Sequence, residues 1–338
     1  MGGVQNHIRA IAKYLPKEKF EVGIATSKDA KRKGKNIDGI KIYEFNIAGN
    51  LVGGYKGETK KYQDFLLQNK FDIIFFYSAQ QWSFDLSLPI IEKIKAKKIF
   101  APCGFSRLGH LYYFLYYFIL KLKINDFNKI VLFSREYQDY KFCSKHYKKP
   151  LSIIPNAGVM CKVKINQKFE KKNTLKILNV GKFSLKKNQL YLLLITFFIK
   201  RKIILNYYFN NFGIYYQLLF LLSKVVTKIK GEQVTVNFHY NKSPNQISKS
   251  YIENDLFVFT SVIECSPLVI YDAAVNSLPF ISSKVGNVSE IARKSKIGIL
   301  YNNFFHLVNL INNFKKKKII NKKYKFEWKI QLEKYKKE

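Results

Sequence analysis

Two lysines, five positions apart, follow an apolar segment in the second half of the chain. The segment Leu175–Val180 has the composition of a buried β-strand, and Gly181–Asn188, GKFSLKKN, comes directly after it. Lys182 and Lys187 would therefore project from a turn at the carboxyl end of a strand, where open α/β sheets bind their ligands. Two lysines in that position suit a diphosphate. In a chain with 59 lysines and arginines, solvated surface lysines are the alternative interpretation.

A second segment, Thr260–Ala274, reads TSVIECSPLVIYDAA and also follows an apolar run. Ser266 is a typical helix N-cap and Pro267 a typical first helical residue, so the pattern predicts a helix that begins here. The amide groups and positive dipole end of that helix would attract a phosphate. Glu264 precedes the helix and Asp272 lies within it, so the two carboxylates suit hydrogen bonds to hydroxyl groups on two parts of one ligand. A solvated helix residue is the alternative for Asp272.

A third segment, Lys284–Ile291, reads KVGNVSEI and follows the strand-like run Phe280–Ser283. Its turn at Gly286 and the carboxylate of Glu290 are expected at the same edge of the sheet. Glu290 could reach a ligand there, or it could pair with one of the many lysines.

Several kinds of site are disfavoured by motifs that the sequence lacks. No G-x-G-x-x-G follows a strand, which argues against a nicotinamide enzyme, and Gly49–Gly54 has phosphate-loop spacing but is followed by Tyr55 instead of lysine. Neither an Asp-x-Asp nor a C-x-x-C pair occurs, so the sequence predicts neither a metal-bound diphosphate nor a zinc site. We expect no bound cofactor, and a reduced, cytosolic setting for the four cysteines.

The chain is strongly basic, with 59 lysines and arginines against 23 acidic residues and a formal charge of +36 over 338 residues. An acidic substrate or an anionic membrane surface would fit that charge, whereas nucleic acid is not expected as a partner because no basic-aromatic motif is present. Leu111–Leu120, LYYFLYYFIL, is too short to span a bilayer. We predict a buried helix there; the alternative is an exposed apolar face that rests on a membrane beside Lys121 and Lys123. We expect a cytoplasmic protein, with peripheral attachment to the inner membrane face as an option.

Apolar runs alternate with amphipathic segments along the whole chain, which predicts an α/β fold of doubly wound parallel sheets with helices on both faces. The runs form two series, divided after the turn-rich Pro155–Gly158, and so predict two Rossmann-like domains. No strand precedes Gly2 and Gly3, so we expect that the first strand of the N-terminal domain is missing and that the chain is truncated. The predicted strands are Glu21–Ala25, Ile40–Phe45, Asp72–Tyr77, Lys98–Ala101 and Lys129–Phe133, and then Leu175–Val180, Val234–Phe238, Leu256–Phe259, Phe280–Ser283 and Gly298–Tyr301.

With these motifs in this order, the sequence resembles the family-4 retaining glycosyltransferases, whose GT-B fold has two Rossmann-like domains facing a cleft. GGVQNHI at Gly2 resembles the family's first glycine-rich turn, and IIPNAGV at Ile153–Val159 resembles its Pro-Asn-Gly element. GKFSLKKN resembles its Gly-Arg/Lys pattern with a later lysine. ECSPLVIYD at Glu264–Asp272 resembles its Glu-x7-Glu signature, with an aspartate in place of the second glutamate, and VGNVSEI resembles the Val-Gly-Gly-x-x-Glu-Ile element that follows.

The resemblance implies a role for each matching residue. Lys182 and Lys187 would bind the donor diphosphate and stabilise the leaving group. Glu264 would contact the transferred sugar, and Asp272 would hold the ribose. The other donor-binding residues that it implies are Gly2, Gly3, Gly181, Ser266, Leu268 and Glu290. It further implies an acceptor-binding domain at 1–160, a nucleotide-sugar donor domain at 161–325, and a C-terminal helix at 326–338 that packs back on the first domain.

The function implied is metal-independent, retaining transfer of a sugar from a nucleoside diphosphate sugar to a polysaccharide or to a glycolipid or other lipid-linked acceptor. Two alternatives stay open. The departure at Asp272 is compatible with a catalytically impaired relic that binds nucleotide sugars. The charge of +36 by itself would suit a basic membrane-surface binding protein.

Overall fold

A computed structural model describes residues 3–16, 18–30, 32, 34–161, 174–315 and 327–336. Contacts between Cα atoms divide the chain into two units, Met1–Pro155 with Gln331–Glu338, and Asn156–Ile330. The first boundary lies five residues before the one that the sequence suggests. The reason is that Asn156, Val159 and Cys161 hydrogen bond to residues 266–276 of the second unit.

The first unit contains mainly parallel strands. β1 (Gly23–Ser27) runs parallel to β3 (Ile40–Phe45), which pairs antiparallel with β2 (Asn36–Ile37), while β4 (Ile47–Asn50) and β5 (Gly54–Gly57) form a hairpin. A parallel sheet has the order β6 (Ile73–Tyr77), β7 (Lys97–Ala101), β8 (Lys129–Leu132) and β9 (Leu151–Ile153). The helices are α1 (Gly3–Tyr14), α2 (Thr59–Gln68), α3 (Trp82–Asp85), α4 (Phe114–Lys123) and α5 (Gln138–His146).

The glycines spaced like a phosphate loop serve the β4–β5 hairpin. Gly49 has a φ of +94°, and a Cβ there would lie 1.9 Å from the carbonyl oxygen of Gly54. Only glycine permits so close an approach of the two strands. The spacing of these glycines therefore has a structural cause.

The segment Leu111–Leu120 is not a fully buried helix, so our preferred prediction for it is wrong. Leu111–Tyr113 form a 3-10 turn and the rest belongs to α4. One side of α4 packs into the core of the unit, whereas the other side faces solvent. The buried side chains are Tyr116, Tyr117 and Leu120, and the exposed ones are Leu111, Tyr112, Phe114, Leu115, Phe118 and Leu122. Among the residues described, no helix is both long enough and apolar enough to cross a bilayer.

The second unit contains a six-stranded parallel sheet in the order β12-β11-β10-β13-β14-β15. Its strands are β10 (Leu175–Val180), β11 (Ile203–Phe209), β12 (Val234–Tyr240), β13 (Leu256–Phe259), β14 (Phe280–Ser282) and β15 (Gly298–Leu300). The helices are α6 (Gln189–Ile195), α7 (Ile214–Lys230), α8 (Pro244–Glu253), α9 (Leu268–Val275), α10 (Val288–Ser295) and α11 (Phe304–Asn312). α12 (Trp328–Tyr335) starts in this unit and ends in the first, where Tyr335 packs against the cluster around Ile99 and Val131.

Helices cover both faces of this sheet, which confirms the predicted α/β architecture. Successive residues of a strand point to opposite faces. Ile177 of β10 accordingly packs in the apolar cluster with α6, α7 and α11, while the next residue, Leu178, packs in the cluster with α8, α9 and α10. β10 is thus buried on both sides, as expected for a central strand of a parallel sheet covered by helices on both faces.

Candidate functional site

The order of the strands reverses beside β10. From β10 the chain continues to β11 and β12 on one side, and then crosses to β13, β14 and β15 on the other. Ligands of open α/β sheets bind at such a switch point, outside the carboxyl ends of the strands. Three loops meet there: residues 181–188 after β10, residues 260–267 after β13, and residues 283–287 after β14.

Hydrogen bonds join these loops into one rim. The backbone amide of Val262 donates to the carbonyl of Lys186 at 2.8 Å, and the hydroxyl of Thr260 donates to the carbonyl of Lys187 at 3.1 Å. On the other side, the hydroxyl of Ser283 donates to the carbonyl of Ser261 at 2.6 Å. The rim therefore positions the predicted site residues that lie on different loops.

Lys187 and Glu264 form an ion pair across this rim, although 77 residues separate them in sequence. Their side chains are only 30% and 15% exposed, so both charges are partly desolvated. The ammonium group also lies 5.8 Å from the centroid of the Phe259 ring. The structure thus brings together the lysine predicted to bind the diphosphate and the carboxylate predicted to contact the sugar.

The other predicted residues of the first loop are less constrained. Lys182 has an exposed side chain, and its carbonyl accepts a hydrogen bond from the Gln189 side chain at 3.1 Å. At Gly181 the nearest heavy atom to an added Cβ would be 4.0 Å away, so packing within the protein does not require glycine there. In the first unit, Gly2 lies outside the described residues, and Gly3 is the first residue of α1.

The helix after the second loop is α9, but it does not begin as the sequence predicts. The N-cap position is occupied by Pro267, whose ψ of 115° is extended, and Leu268 is the first helical residue. Ser266 is therefore one position too early to cap the helix, and the prediction that it does so is wrong. Its hydroxyl instead lies 3.2 Å from the hydroxyl of Tyr271, within hydrogen-bond distance. The first amides of an α-helix point toward its N-terminal end, and for α9 that end adjoins residues 260–267.

Asp272 holds a backbone segment in place. One of its carboxylate oxygens accepts the amide hydrogen of Val159 at 2.7 Å. A Cβ at Gly158 would lie 2.4 Å from the carbonyl oxygen of Tyr271, so the chain passes directly against α9. Burial raises the pKa of Asp272 to about 7, and the hydrogen bond from Val159 opposes that shift. The ribose contact implied for Asp272 stays a prediction.

The third loop packs tightly against the second. Gly286 has a φ of +54°, and a Cβ there would lie 2.1 Å from the carbonyl oxygen of Cys265. The same carbonyl accepts the amide hydrogen of Asn287 at 2.9 Å. Glu290, in the first turn of α10, is buried and pairs with Lys294 one turn later. That pairing is one of the two options open for Glu290; contact with a ligand stays a prediction.

Two asparagines at the start of α9 are site residues that sequence reasoning missed. Asn156 donates to the carbonyl of Ser266 at 2.9 Å, and Asn287 donates to the hydroxyl of Tyr271 at 2.7 Å. The side-chain oxygens of both are buried without a hydrogen-bond partner among the described residues. Such a buried acceptor costs about 1–3 kcal/mol when it stays unsatisfied. The only sequence signal was their position in the turn motifs PNAG and GN.

No group of three or more histidine, cysteine, aspartate or glutamate side chains with the arrangement of a metal site occurs in the described residues. The metal independence of the reaction stays a prediction.

Comparisons with known proteins relate one segment of the chain to a family and the whole chain to a fold. Residues 162–327 match the family model described as "Glycosyl transferases group 1". No curated protein sequence gives a significant match. Among solved structures, the fold is similar to sucrose-phosphate synthase from Thermosynechococcus elongatus, with a TM-score of 0.75 at 13% identity over 99% of this chain and 92% of that one.

Two further solved structures have a fold similar to that of this chain. A glycosyltransferase from Rickettsia africae has a TM-score of 0.72 at 17% identity, covering 99% of this chain and 94% of its own. The Anabaena protein HepE, determined in complex with UDP and glucose, has a TM-score of 0.72 at 14% identity, covering 99% and 95%. Residues 162–327 therefore match the group 1 glycosyl transferases, and the α/β architecture of the chain is that of the GT-B fold.

Proposed function

We propose that this chain is a retaining glycosyltransferase that moves a sugar from a nucleoside diphosphate sugar to a polysaccharide or glycolipid, without a metal ion. The observation that carries the proposal is the ion pair between Lys187 and Glu264 at the switch point, beside the start of α9. A cation for the diphosphate and a carboxylate for the sugar are thus adjacent. The family-4 type of glycosyltransferase is part of the proposal.

The charges of the rim suit the departure of a nucleoside diphosphate. As the glycosidic bond breaks, negative charge accumulates on the diphosphate and the sugar becomes oxocarbenium-like. In this proposal Lys187, Lys182 and the backbone amide of Leu268 stabilise the negative charge, which is the task that a metal ion performs elsewhere. Glu264 lies where it can contact the sugar. The departing phosphate oxygen accepts the proton of the acceptor hydroxyl.

The donor is proposed to be a UDP-sugar. HepE, which shares the fold, was determined with UDP and glucose. Asp272, Gly181, Ser266 and Glu290 complete the proposed donor site.

A binding protein without turnover is the second candidate, and the geometry at Asp272 favours it. The side chain is one methylene shorter than glutamate, and one of its oxygens is already held by the Val159 amide. A carboxylate with a pKa of about 7 is also only partly ionised at neutral pH. Both features weaken its contact with a ribose, so a bound nucleotide sugar would be held less precisely for transfer.

The acceptor is proposed to be presented at a membrane, to which the chain attaches peripherally from the cytoplasm. The exposed side of α4, together with the preceding 3-10 turn, carries six large apolar or aromatic side chains. Lys121 lies in its last turn. An apolar face beside cations is typical of segments that rest on anionic lipid. No nucleic-acid partner is proposed.

Turnover is tested by incubating the purified chain with UDP-, GDP- and ADP-sugars plus a lipid-linked glycan extract. We expect nucleoside diphosphate release with one donor, unchanged by EDTA, and loss of release in Glu264→Gln. The matched control is Glu232→Gln, because Glu232 is 95% exposed and pairs with Lys202 far from the rim. Nuclear magnetic resonance of the product anomeric centre checks retention. Saturable nucleotide binding without release would favour the relic, and neither binding nor release would refute the proposal.

A further inference from the structure

An apolar stripe runs along the solvent side of α7, in a part of the second unit that the donor site does not use. The exposed side chains are those of Ile214, Leu218, Leu221, Val225 and Ile229, and none of them is less than 45% exposed. Their spacing of 4, 3, 4 and 4 residues puts all five on one side of a helix. We call these five residues the α7 stripe. The opposite side of α7 is buried through Leu219, Ser223 and Val226.

Aromatic side chains extend the exposed apolar surface beyond the start of α7. Phe212, two residues before the helix, is 59% exposed, and its ring centroid lies 4.0 Å from that of Tyr240, which is 43% exposed. Tyrosine combines an apolar ring with a polar hydroxyl, and aromatic side chains of this kind are enriched where protein meets the headgroup region of a bilayer.

The charge on α7 has one sign. The helix contains three lysines and no carboxylate. Lys224 and Lys228 are exposed on one flank of the stripe, and the Lys224 ammonium lies 4.7 Å from the Phe220 ring centroid. The amine of Lys230 instead donates to the carbonyls of Phe197 and Ile199. The surface is therefore apolar along its centre and cationic along its edge.

We propose that the α7 stripe lies on the surface of an anionic lipid bilayer, with its aliphatic side chains among the acyl chains and its lysines at the headgroups. Helices that lie in a membrane interface have this combination of an apolar face and flanking lysines, and each lysine near an anionic leaflet adds attraction. The lysines of α7 require an anionic partner and the stripe requires an apolar one, and an anionic bilayer offers both at one surface.

A second copy of the chain fits the stripe less well. Five side chains are far fewer than the roughly 20–30 residues a side of a standard protein interface. In an antiparallel pair of α7 helices, the flank with Lys224 and Lys228 would also face the same flank of the other copy, and like charges repel. Dimerisation through α7 is therefore an outcome that the test must detect and that would overturn the proposal.

The test measures sedimentation of the full chain with phosphatidylglycerol–phosphatidylcholine vesicles. We expect binding that weakens with salt and is much lower on phosphatidylcholine alone. A variant with Leu218→Ser, Leu221→Ser and Val225→Ser should bind vesicles with a partition coefficient at least tenfold lower. Each methylene group buried in the bilayer raises that coefficient by about fourfold. The double variant Lys224→Gln with Lys228→Gln should lower the partition coefficient on anionic vesicles by about 25-fold, at about fivefold per lysine. These positions are exposed, so thermal melts should not change.

Two controls separate α7 from other surfaces. Phe305→Ser removes a side chain that is 74% exposed elsewhere in the same unit and should leave partition unchanged. Leu115→Ser with Phe118→Ser removes part of the exposed side of α4. If only the α4 variant lost vesicle binding, or if the α7 variant bound as the parent does, the proposal would be wrong. It would also be overturned by a dimer in light scattering that Leu221→Ser abolishes.

A direct readout comes from Leu221→Trp, with fluorescence quenched by brominated phosphatidylglycerol. We expect a blue shift and quenching on anionic vesicles. An emission spectrum that vesicles leave unchanged would show that the stripe stays in water. None of these measurements depends on turnover, so they are independent of the proposed transferase activity.

Discussion

Replacing Glu264 by glutamine should strengthen nucleoside diphosphate binding while it stops sugar transfer. In the structure the Lys187 ammonium is already paired with the Glu264 carboxylate, and both are largely shielded from water. A diphosphate that approaches Lys187 must therefore displace or share a like-charged carboxylate. Glu264→Gln removes that charge and keeps the shape of the side chain. The affinity for the diphosphate and the rate of transfer should then change in opposite directions.

The size of the effect follows from the geometry. Two unit charges about 4 Å apart interact by about 4 kcal/mol at an effective dielectric constant of 20. Both side chains keep some exposure to water, which weakens this interaction. We therefore expect that removal of the repulsion between Glu264 and the diphosphate improves the binding free energy of UDP by about 1–2 kcal/mol, a gain of roughly 5–30-fold in affinity. Transfer should fall by at least about 100-fold, as when other preplaced electrostatic groups are removed.

Isothermal titration calorimetry with UDP and a nucleotide-release assay measure the two quantities on the same protein. Lys187→Met should weaken UDP binding, and Glu232→Gln should change neither quantity. Weaker UDP binding by Glu264→Gln would refute the reasoning, because it would mean that the carboxylate supports the nucleotide instead of competing with it. Unchanged transfer would remove Glu264 from the site.

Other predictions concern the glycines and Asp272. Gly286→Ala should lower the free energy of unfolding by about 2 kcal/mol or more, since its Cβ would overlap a backbone carbonyl at a positive φ. Gly181→Ala should leave the thermal melt unchanged, and a loss of UDP affinity there would show that the ligand itself approaches the backbone. Because burial raises the pKa of Asp272 to about 7, the folded chain binds more protons than the unfolded chain between about pH 4 and 7. Stability should therefore fall as pH rises through that window, by up to about 4 kcal/mol, since the pKa rises from 3.8 to about 7 and each pKa unit is worth about 1.4 kcal/mol. Asp272→Asn should flatten this dependence in chemical denaturation, and an unaltered pH profile would contradict the shift.

Much of the fold could be predicted from local patterns. Ile40–Phe45, Leu175–Val180 and Leu256–Phe259 are strands with the predicted bounds. Short segments rich in apolar and β-branched residues between turn residues have few other solutions in a chain that alternates strands and helices. β11 (Ile203–Phe209) was missed, although Asn210, Asn211 and Gly213 form a turn signal between it and the equally apolar α7.

The burial of the amphipathic elements was harder to predict, because the hydrophobicity of a segment does not show whether protein or solvent covers it. The same apolar character belongs to the buried side of α4 and to its exposed side, and only the packing partners distinguish them. The α7 stripe likewise could not be recognised as exposed from its sequence. Composition indicates that a face is apolar, whereas tertiary packing decides whether protein or solvent meets it.

For the candidate site, the sequence by itself determined the residue types and their places after strands. Glycine-rich turns, lysines and carboxylates at the carboxyl ends of parallel strands follow from local pattern and from the topology of α/β sheets. The tertiary structure decided which of these residues touch. Lys187 meets Glu264 because β10 and β13 are neighbours in the sheet. Ser266 does not cap α9 because Pro267 takes the cap position. Contacts between residues far apart in the chain depend on strand order and loop packing, which no local pattern contains.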